Sequence, residues 1–325
     1  MDKTYLVHSF HTKYCNEEQL WMYVCYFTLS CMFAKRSGFD IVLYTDDKGA
    51  EMLQYAPYDD VKVTLNNITK PHTLFFAYPK FHVLECMDKN QIHIDGDVFL
   101  KNNNLKDILK YDGYDCIVQS IEREYDIVPY DNLMFEGSRQ SFINTDYPEW
   151  AKRHSFYMFN TGVLGFNNEK LKREFIDTYW YMAEQFAKKA VNCPSCPEII
   201  IEQQFLMDLC EFKNCNVKTV IEKGLFRDGV KEFCNDIGYQ HVIGSIEKRK
   251  KLKDVIKTIN SLDKTMISNL VIIKNKIFNN EKNTFIQNNI NKTKELDKKN
   301  IIKDLEVIDE NCFAFNDLKE EFIDI

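Results

Sequence analysis

The chain has 325 residues, of which 45% are hydrophobic, 28% charged and 14% aromatic. This composition is ordinary for a globular protein, and it excludes a fibrous repeat or a wholly disordered chain. The formal net charge of −7 gives no reason to expect a nucleic acid as a partner, because binding to a phosphate backbone requires positive charge. The length predicts one large domain with an appendage, or at most two domains.

Eleven cysteines at irregular spacings predict free thiols, and therefore a reducing, cytoplasmic location. The longest uncharged run, residues 20–34, is shorter than the roughly 18–20 residues that cross a membrane. We interpret it as a buried core helix and expect no transmembrane segment, which leaves room for peripheral association with a membrane.

Short apolar strands alternate with helical patterns along the first third of the chain. This alternation predicts an α/β fold with a mostly parallel sheet and helices on both faces, in which ligands bind beyond the carboxyl ends of the strands. Strands are predicted at 4–10, 40–47, 60–65 and 91–100, and helices at 17–38, around Glu51 and at 71–88.

The rest of the chain is less regular. A polar and aromatic stretch at about 125–153 predicts a long loop or lid, and beyond residue 264 the chain becomes rich in Lys, Asn and Ile. We therefore expect an α/β domain at 1–264 and a helical or partly disordered appendage at 265–325. Strands are predicted at 155–168 and 216–222, and helices at 169–190 and 199–212.

Asp95, Gly96 and Asp97 follow the apolar start of the fourth strand. Two clustered carboxylates repel each other unless a cation joins them, so this motif favours a hard divalent ion such as Mg²⁺ or Mn²⁺. The alternative is a turn in which the aspartates accept hydrogen bonds from backbone amides. The three residues alone do not decide between the two.

Further short motifs stand in a fixed order around this one. A strand ends in IVLYTDD, a helix reads YPKFHVLECMD, a later strand reads FNTGVLGFN, a helix begins IIIEQQFL, and HVIG precedes a basic run. The polar residues of interest in these motifs are Thr45, Asp46, Lys80, Asn160, Thr161, Gly162, Glu202, Gln203, His241, Gly244 and Lys248.

This order of motifs resembles that of nucleotide-sugar glycosyltransferases of the GT-A fold, and most of all family eight, which contains glycogenin and bacterial lipopolysaccharide galactosyltransferases. The resemblance implies a Rossmann-like sheet and metal-dependent transfer of a sugar from a nucleotide diphosphate donor, with UDP favoured, to a saccharide hydroxyl. Synthesis of a surface polysaccharide is one setting for that reaction. The expected partners are thus a nucleotide-sugar donor and a saccharide acceptor.

The same resemblance assigns roles to individual residues. Gln203 is the polar group near the reacting carbon if the reaction retains configuration, whereas Glu202, or an acid of the predicted lid such as Asp126, is the candidate base if it inverts. The metal, Mn²⁺ or Mg²⁺, is assigned to Asp95, Asp97 and His241. Binding of the nucleotide and sugar is assigned to Thr45, Asp46, Lys80, Asp95, Asn160, Thr161, Gly162, Gly244 and Lys248.

Several features leave alternatives open. The family has a lysine where this chain has Glu247, with Lys248 one residue late, and an aspartate where it has Glu202. A single histidine such as His241 is also typical of an ordinary polar position, and a basic run is typical of a solvated helix face. A zinc site is a further reading of four cysteines, Cys193, Cys196, Cys210 and Cys215.

Two other functions compete with the transferase. A phosphohydrolase of the haloacid dehalogenase type also uses an Asp-x-Asp motif, but there the motif follows the first strand, whereas Asp95 follows the fourth. The second competitor is a catalytically inactive transferase fold that acts as a carbohydrate-binding subunit.

Overall fold

The computed structural model of the chain describes residues 4–71, 75–123, 148, 150, 157–189, 197–221 and 237–278. Within these ranges the chain forms a seven-stranded sheet flanked by helices and a separate two-stranded sheet. The strands are β1 Tyr5–Phe10, β2 Asp40–Thr45, β3 Asp60–Val63, β4 Gln91–Ile94, β5 Val98–Leu100, β6 Cys116–Arg123, β7 Tyr157–Phe166, β8 Val217–Thr219 and β9 Tyr239–His241.

The helices lie between these strands and after the last of them. One of them, α6, is a continuous stretch in three parts, Pro197–Ile199, a π-helical turn at Ile200–Gln204, and Phe205–Lys213. The others are α1 Glu17–Arg36, α2 Asp47–Met52, α3 Tyr78–Cys86, α4 Leu105–Ile108, α5 Glu169–Lys189, α7 Ser245–Leu262 and α8 Lys264–Ile277.

The large sheet has the order β3-β2-β1-β4-β7-β6-β8, and only β7 runs against its neighbours. The predicted α/β fold with a mostly parallel sheet and a helical region after it is therefore confirmed, with one reversed strand. Because β7 is longer than β4, it continues past the end of β4, where the backbone N–H of Asp95 donates to the carbonyl of Gly162 at 2.9 Å. The reversed strand thus brings its polar residues to the carboxyl edge of the parallel strands.

Helix α1 is the core helix that its uncharged sequence predicts. Its first turn is fixed by a capping box, in which Asn16 and Gln19 exchange side-chain to backbone hydrogen bonds. Most of its length is buried, and it forms one apolar cluster with α7 and α8. Within the described ranges, no helix combines the length and the apolar character that crossing a membrane requires.

Helix α8 contributes Ile267 and Leu270 to that cluster, so the segment predicted as an appendage begins with a packed helix. The predicted boundary at 264–265 stays a prediction, and residues 279–325 lie outside the described residues. The predicted lid at 125–153 also lies outside them, apart from residues 148 and 150, as do Cys193 and Cys196 of the zinc alternative.

Two predicted elements differ from the structure. The strand expected at 91–100 is broken into β4 and β5, which belong to different sheets, because Asp95, Gly96 and Asp97 form a turn between them. The helix expected from residue 71 begins only at Tyr78, where Pro79 occupies the first turn. Proline is tolerated there because the first N–H groups of a helix have no partner within the helix.

Glu198 fixes the start of α3 from the neighbouring helix α6. This fully buried carboxylate accepts hydrogen bonds from the backbone N–H groups of Phe76 and Ala77 and from the hydroxyl of Tyr179. Burial, together with nearby Glu202, raises the pKa of Glu198 to about 8, although these three donors act in the opposite direction. The contact ties α6 to the residues just before α3.

We expect Glu198→Ala to lower the free energy of unfolding by about 3 kcal/mol or more, because it removes the acceptor of three donors, two of them in buried contacts. Urea unfolding measures the loss. The control is Glu184→Ala, which removes an exposed carboxylate paired with Lys188 and is expected to cost under about 1 kcal/mol. Equal losses in the two variants would contradict this role of Glu198.

Candidate active site

Asp95, Gly96 and Asp97 form the turn between β4 and β5 at the carboxyl edge of the large sheet. The bond from Asp95 to Gly162 holds the turn against β7. On the other side lies α1, and Gly96 has no room for a side chain because a Cβ would overlap the ring of Phe27. The turn is therefore fixed between a strand and a helix, with little freedom in its backbone.

Asp97 and His241 face each other across the two-stranded sheet. Strands β5 and β9 pair antiparallel, and Nε2 of His241 lies 3.3 Å from Oδ1 of Asp97. With Asp95, each residue offers one ligand atom, and the three atoms all lie within 4.8 Å of one another. Two carboxylates and one imidazole form a donor set that divalent ions such as Mn²⁺ accept. The residues present therefore fit the cation that the sequence predicts.

Lys248 also contacts Asp97. Helix α7 begins just after Gly244, which has a φ of +86°, and Nζ of Lys248 lies 2.5 Å from Oδ2 of Asp97. Burial acts to raise the pKa of Asp97, but Lys248 and His241 outweigh it and hold this pKa well below its ordinary value. Burial likewise acts to lower the pKa of Lys248, but Asp97 raises it. Both groups are therefore charged at neutral pH.

Glu247 occupies the position where the resemblance expects a lysine. Its carboxylate lies on the outer side of α7, 43% exposed, and pairs with Lys250 at 3.1 Å. Lys248, one position later, is the residue that faces the acidic turn.

Lys80 is buried between two carboxylates. Its Nζ lies 2.9 Å from Oδ1 of Asp95 and 2.6 Å from Oε1 of Glu202, and it donates to the carbonyl of Thr161 at 3.2 Å. Burial acts to lower the pKa of Lys80, but Asp95 and Glu202 raise it above its ordinary value. Because three acceptors surround the ammonium group, it is held in one place.

The two candidate catalytic residues lie in the π-helical turn of α6. Glu202 is 3% exposed, and its Oε1 accepts from Lys80 and from the hydroxyl of Thr161 at 2.7 Å. Gln203 is half-buried, and its side chain makes no hydrogen bond to the described residues. Single π turns are frequent at functional sites, but the roles of both residues stay predictions.

The remaining predicted site residues lie at the same edge of the sheet. Thr45 and Asp46 end β2, where the carboxylate of Asp46 caps α2 through the N–H of Gly49 and accepts from both the backbone N–H and the hydroxyl of Thr12. On β7, the side-chain oxygen of Asn160 accepts from the N–H of Gly162 at 3.0 Å. The structure thus brings together the acidic turn and its two lysines, with Thr45 and Asp46 two strands away.

Sequence reasoning missed polar residues that hold this edge in place. Gln119 on β6 accepts from His241, and its only signal in the sequence is an amide within the apolar run of the strand. His11, directly after β1, contacts the hydroxyl of Tyr78 through Nδ1 and has its Nε2 3.7 Å from Asp46. Nothing in its local sequence signals that contact, because both partners are distant in the chain.

The chain is thus an α/β protein with carboxylates, an imidazole and lysines clustered at the carboxyl edge of a mostly parallel sheet. Residues 7–267 match the model of a family described as a family of unknown function, DUF6734, and the chain belongs to that family. No curated protein sequence matches the chain.

Solved structures similar to the chain include glycosyltransferases. The glycosyltransferase GlyE of Streptococcus pneumoniae TIGR4 is 13% identical, with 73% of this chain and half (50%) of that chain covered and a TM-score of 0.36. The galactosyltransferase LgtC, solved with donor and acceptor sugar analogues, is 14% identical over 66% of this chain and 72% of that chain, with a TM-score of 0.36. Mouse xyloside xylosyltransferase 1 is 12% identical over 67% and 78%, with a TM-score of 0.32. At these values we take no function from the likeness, and membership of family eight stays a prediction.

We expect Lys80→Met to lower the free energy of unfolding by about 3–5 kcal/mol, because it leaves Glu202 as a buried charge without its cation. Adding Glu202→Gln should recover a large part of the loss, since the neutral amide removes that charge. Urea unfolding of the single and double variants tests this. Lys188→Met, which removes an exposed lysine paired with Glu184, is the control and should cost under about 1 kcal/mol.

A double variant no more stable than Lys80→Met alone would show that the pairing with Glu202 contributes little.

Proposed function

We propose that the chain is a metal-dependent glycosyltransferase that moves a sugar from a nucleotide diphosphate donor to a saccharide hydroxyl. UDP is the nucleotide that we favour. The observation that carries the proposal is the convergence of Asp95, Asp97 and His241 at the carboxyl edge of the sheet, with Lys80 and Lys248 in contact with the two carboxylates. Ligands of α/β sheets bind at this edge.

The chemistry of such a transfer matches these groups. A nucleoside diphosphate leaves with growing negative charge on its phosphate oxygens, and a divalent cation held by Asp95, Asp97 and His241 would neutralise that charge as a Lewis acid. Fixed positive side chains near the leaving group act in the same direction. Lys248, in contact with Asp97, is such a group at the acidic turn.

The two lysines have different freedom. Lys80 has three acceptors in a buried position, so its task is to hold Asp95 and Glu202 in place. Lys248 has Asp97 as its closest acceptor and sits 18% exposed on the first turn of α7. A cation on Asp97 would compete with Lys248, and the released ammonium group could then pair with a phosphate of the donor.

The stereochemical course depends on the π turn. Glu202 accepts from Lys80 and Thr161 through Oε1, so as a base for an inverting reaction it would act through its other oxygen, Oε2. Gln203 has no such bonds within the described residues and is the polar group we propose near the reacting carbon of a retaining reaction. Thr45, Asp46, Asn160, Gly162 and Gly244 are left as proposed contacts of the nucleotide and the sugar.

The two competing functions find less support. A phosphohydrolase would need Asp95 as a nucleophile, whereas this carboxylate is paired with Lys80 at the end of the fourth strand rather than the first. An inactive carbohydrate-binding subunit would share the whole site, so only turnover separates it from the transferase. The free thiols of the described part of the chain fit the reducing, cytoplasmic location that we propose.

We expect UDP and UDP-sugars to raise the melting temperature of the wild type in the presence of Mn²⁺ and much less in its absence, because a ligand stabilises the state that binds it. Asp97→Asn should lose the Mn²⁺-dependent part of this shift. Asp107→Asn, on the exposed helix α4, is the matched control and should behave as the wild type.

A full Mn²⁺-dependent shift in Asp97→Asn would remove Asp97 from the proposed metal site. An assay of hydrolysis or transfer of the UDP-sugar, with released UDP as the measured product, then distinguishes the enzyme from the inactive subunit.

A further inference from the structure

Gln119 contacts the imidazole of His241 on the side away from Asp97. Its Oε1 lies 2.8 Å from Nδ1 of His241 and accepts the hydroxyl of Tyr239 at 2.6 Å. The side chain of Gln119 is fully buried. One amide oxygen therefore receives two donors, and one of them belongs to the ring that faces the acidic turn.

An imidazole that donates from Nδ1 has its lone pair on Nε2. In a neutral ring one nitrogen carries the proton and the other is the acceptor or metal ligand, and the hydrogen bond on the first nitrogen decides which is which. Because an amide oxygen can only accept, its contact with Nδ1 places the proton there. Nε2, 3.3 Å from Oδ1 of Asp97, is then the nitrogen that faces the proposed cation, and Asp97 is its partner when no cation is bound.

An irregularity in strand β6 places the amide oxygen of Gln119 beside His241. The register between β6 and β7 shifts between Val118 and Ser120, so Gln119 sits at an irregularity of the ladder. Such bulges re-aim side chains. On the neighbouring strand β7, Gly162 leaves room for the contact between Gln119 and His241. A Cβ at Gly162 would lie 2.6 Å from Cε1 of His241 and closer still to Oε1 of Gln119.

The arrangement also has a cost. Nε2 of Gln119 is buried without a hydrogen-bond partner among the described residues. An unpaired buried donor destabilises a protein, so each one in a native structure calls for an explanation. In Gln119 the explanation is the oxygen of the same amide group, which contacts His241.

We propose that Gln119 is a positioning residue for the metal site: it fixes His241 with the proton on Nδ1, so that Nε2 is presented to the cation shared with Asp95 and Asp97. This inference rests on the proposed function, since it concerns the same cation. Groups that orient a metal-binding imidazole typically change metal affinity by 10–100-fold when they are removed.

The test measures the tautomer and the affinity separately. Long-range ¹H–¹⁵N NMR of the metal-free protein, at an alkaline pH where imidazoles are neutral, reports which nitrogen of His241 is protonated, with His241→Ala used for assignment. Titration with Mn²⁺ alone, followed by the EPR signal of the free ion, gives the affinity. The variants are Gln119→Met, which has similar length but no amide oxygen, and Gln119→Glu, which keeps an acceptor.

We expect the proton on Nδ1 in the wild type and in Gln119→Glu, and a mixture of tautomers in Gln119→Met. The Mn²⁺ affinity should fall by about 10–100-fold in Gln119→Met and stay at or above that of the wild type in Gln119→Glu. Ser120→Ala is the matched control, because it removes the neighbouring buried hydroxyl, which has no partner among the described residues.

A proton on Nε2 in the wild type would overturn the inference, and this result needs no variant to fold. Equal loss of affinity in the Met and Glu variants would also overturn it, because packing rather than the acceptor would then be responsible. If the wild type itself does not bind Mn²⁺, the proposed metal-dependent function fails with it. If the wild type binds and Gln119→Met binds equally well, only the inference about Gln119 fails.

Discussion

The negative charge of three carboxylates at one edge of the sheet is the constraint on which the rest of this structure depends. Asp95, Asp97 and Glu202 are carboxylates in a largely buried region, where an uncompensated charge is costly. Lys80 lies between Asp95 and Glu202, and Lys248 lies against Asp97. The elements that carry these five residues therefore meet at this edge through ion pairs.

This constraint explains why distant parts of the chain meet at the acidic turn. Helix α3 brings Lys80, α6 brings Glu202, and α7 brings Lys248, each from a different stretch of sequence. Glu198, one helical turn before Glu202, ties α6 to the start of α3 and so sets the distance that Lys80 has to span. The fold and the site are therefore stabilised by the same contacts.

The parts that the sequence could predict are those with local signals. The uncharged run predicts α1, the alternation of short apolar strands with helical patterns predicts the parallel sheet, and the Asp95–Asp97 motif indicates a site at its edge once the order of the neighbouring motifs is added. The predicted strand at 91–100 misses the break between β4 and β5, although a turn at Asp95–Asp97 is one of the two alternatives for the motif. The close approach of Gly96 to Phe27 has no local signal in the sequence. The same holds for Gln119, whose role depends on an irregularity in β6 and on a ring more than a hundred residues later.

We propose that Asp95, Asp97 and His241 hold one divalent cation and that Lys248 moves away from Asp97 when the cation binds. Anomalous diffraction from crystals grown with Mn²⁺ and UDP tests this directly. We expect one manganese peak in contact with all three side chains, with the ammonium group of Lys248 moved from Asp97 to the diphosphate. A structure with bound UDP but no manganese between these residues, and with Lys248 still paired to Asp97, would contradict it.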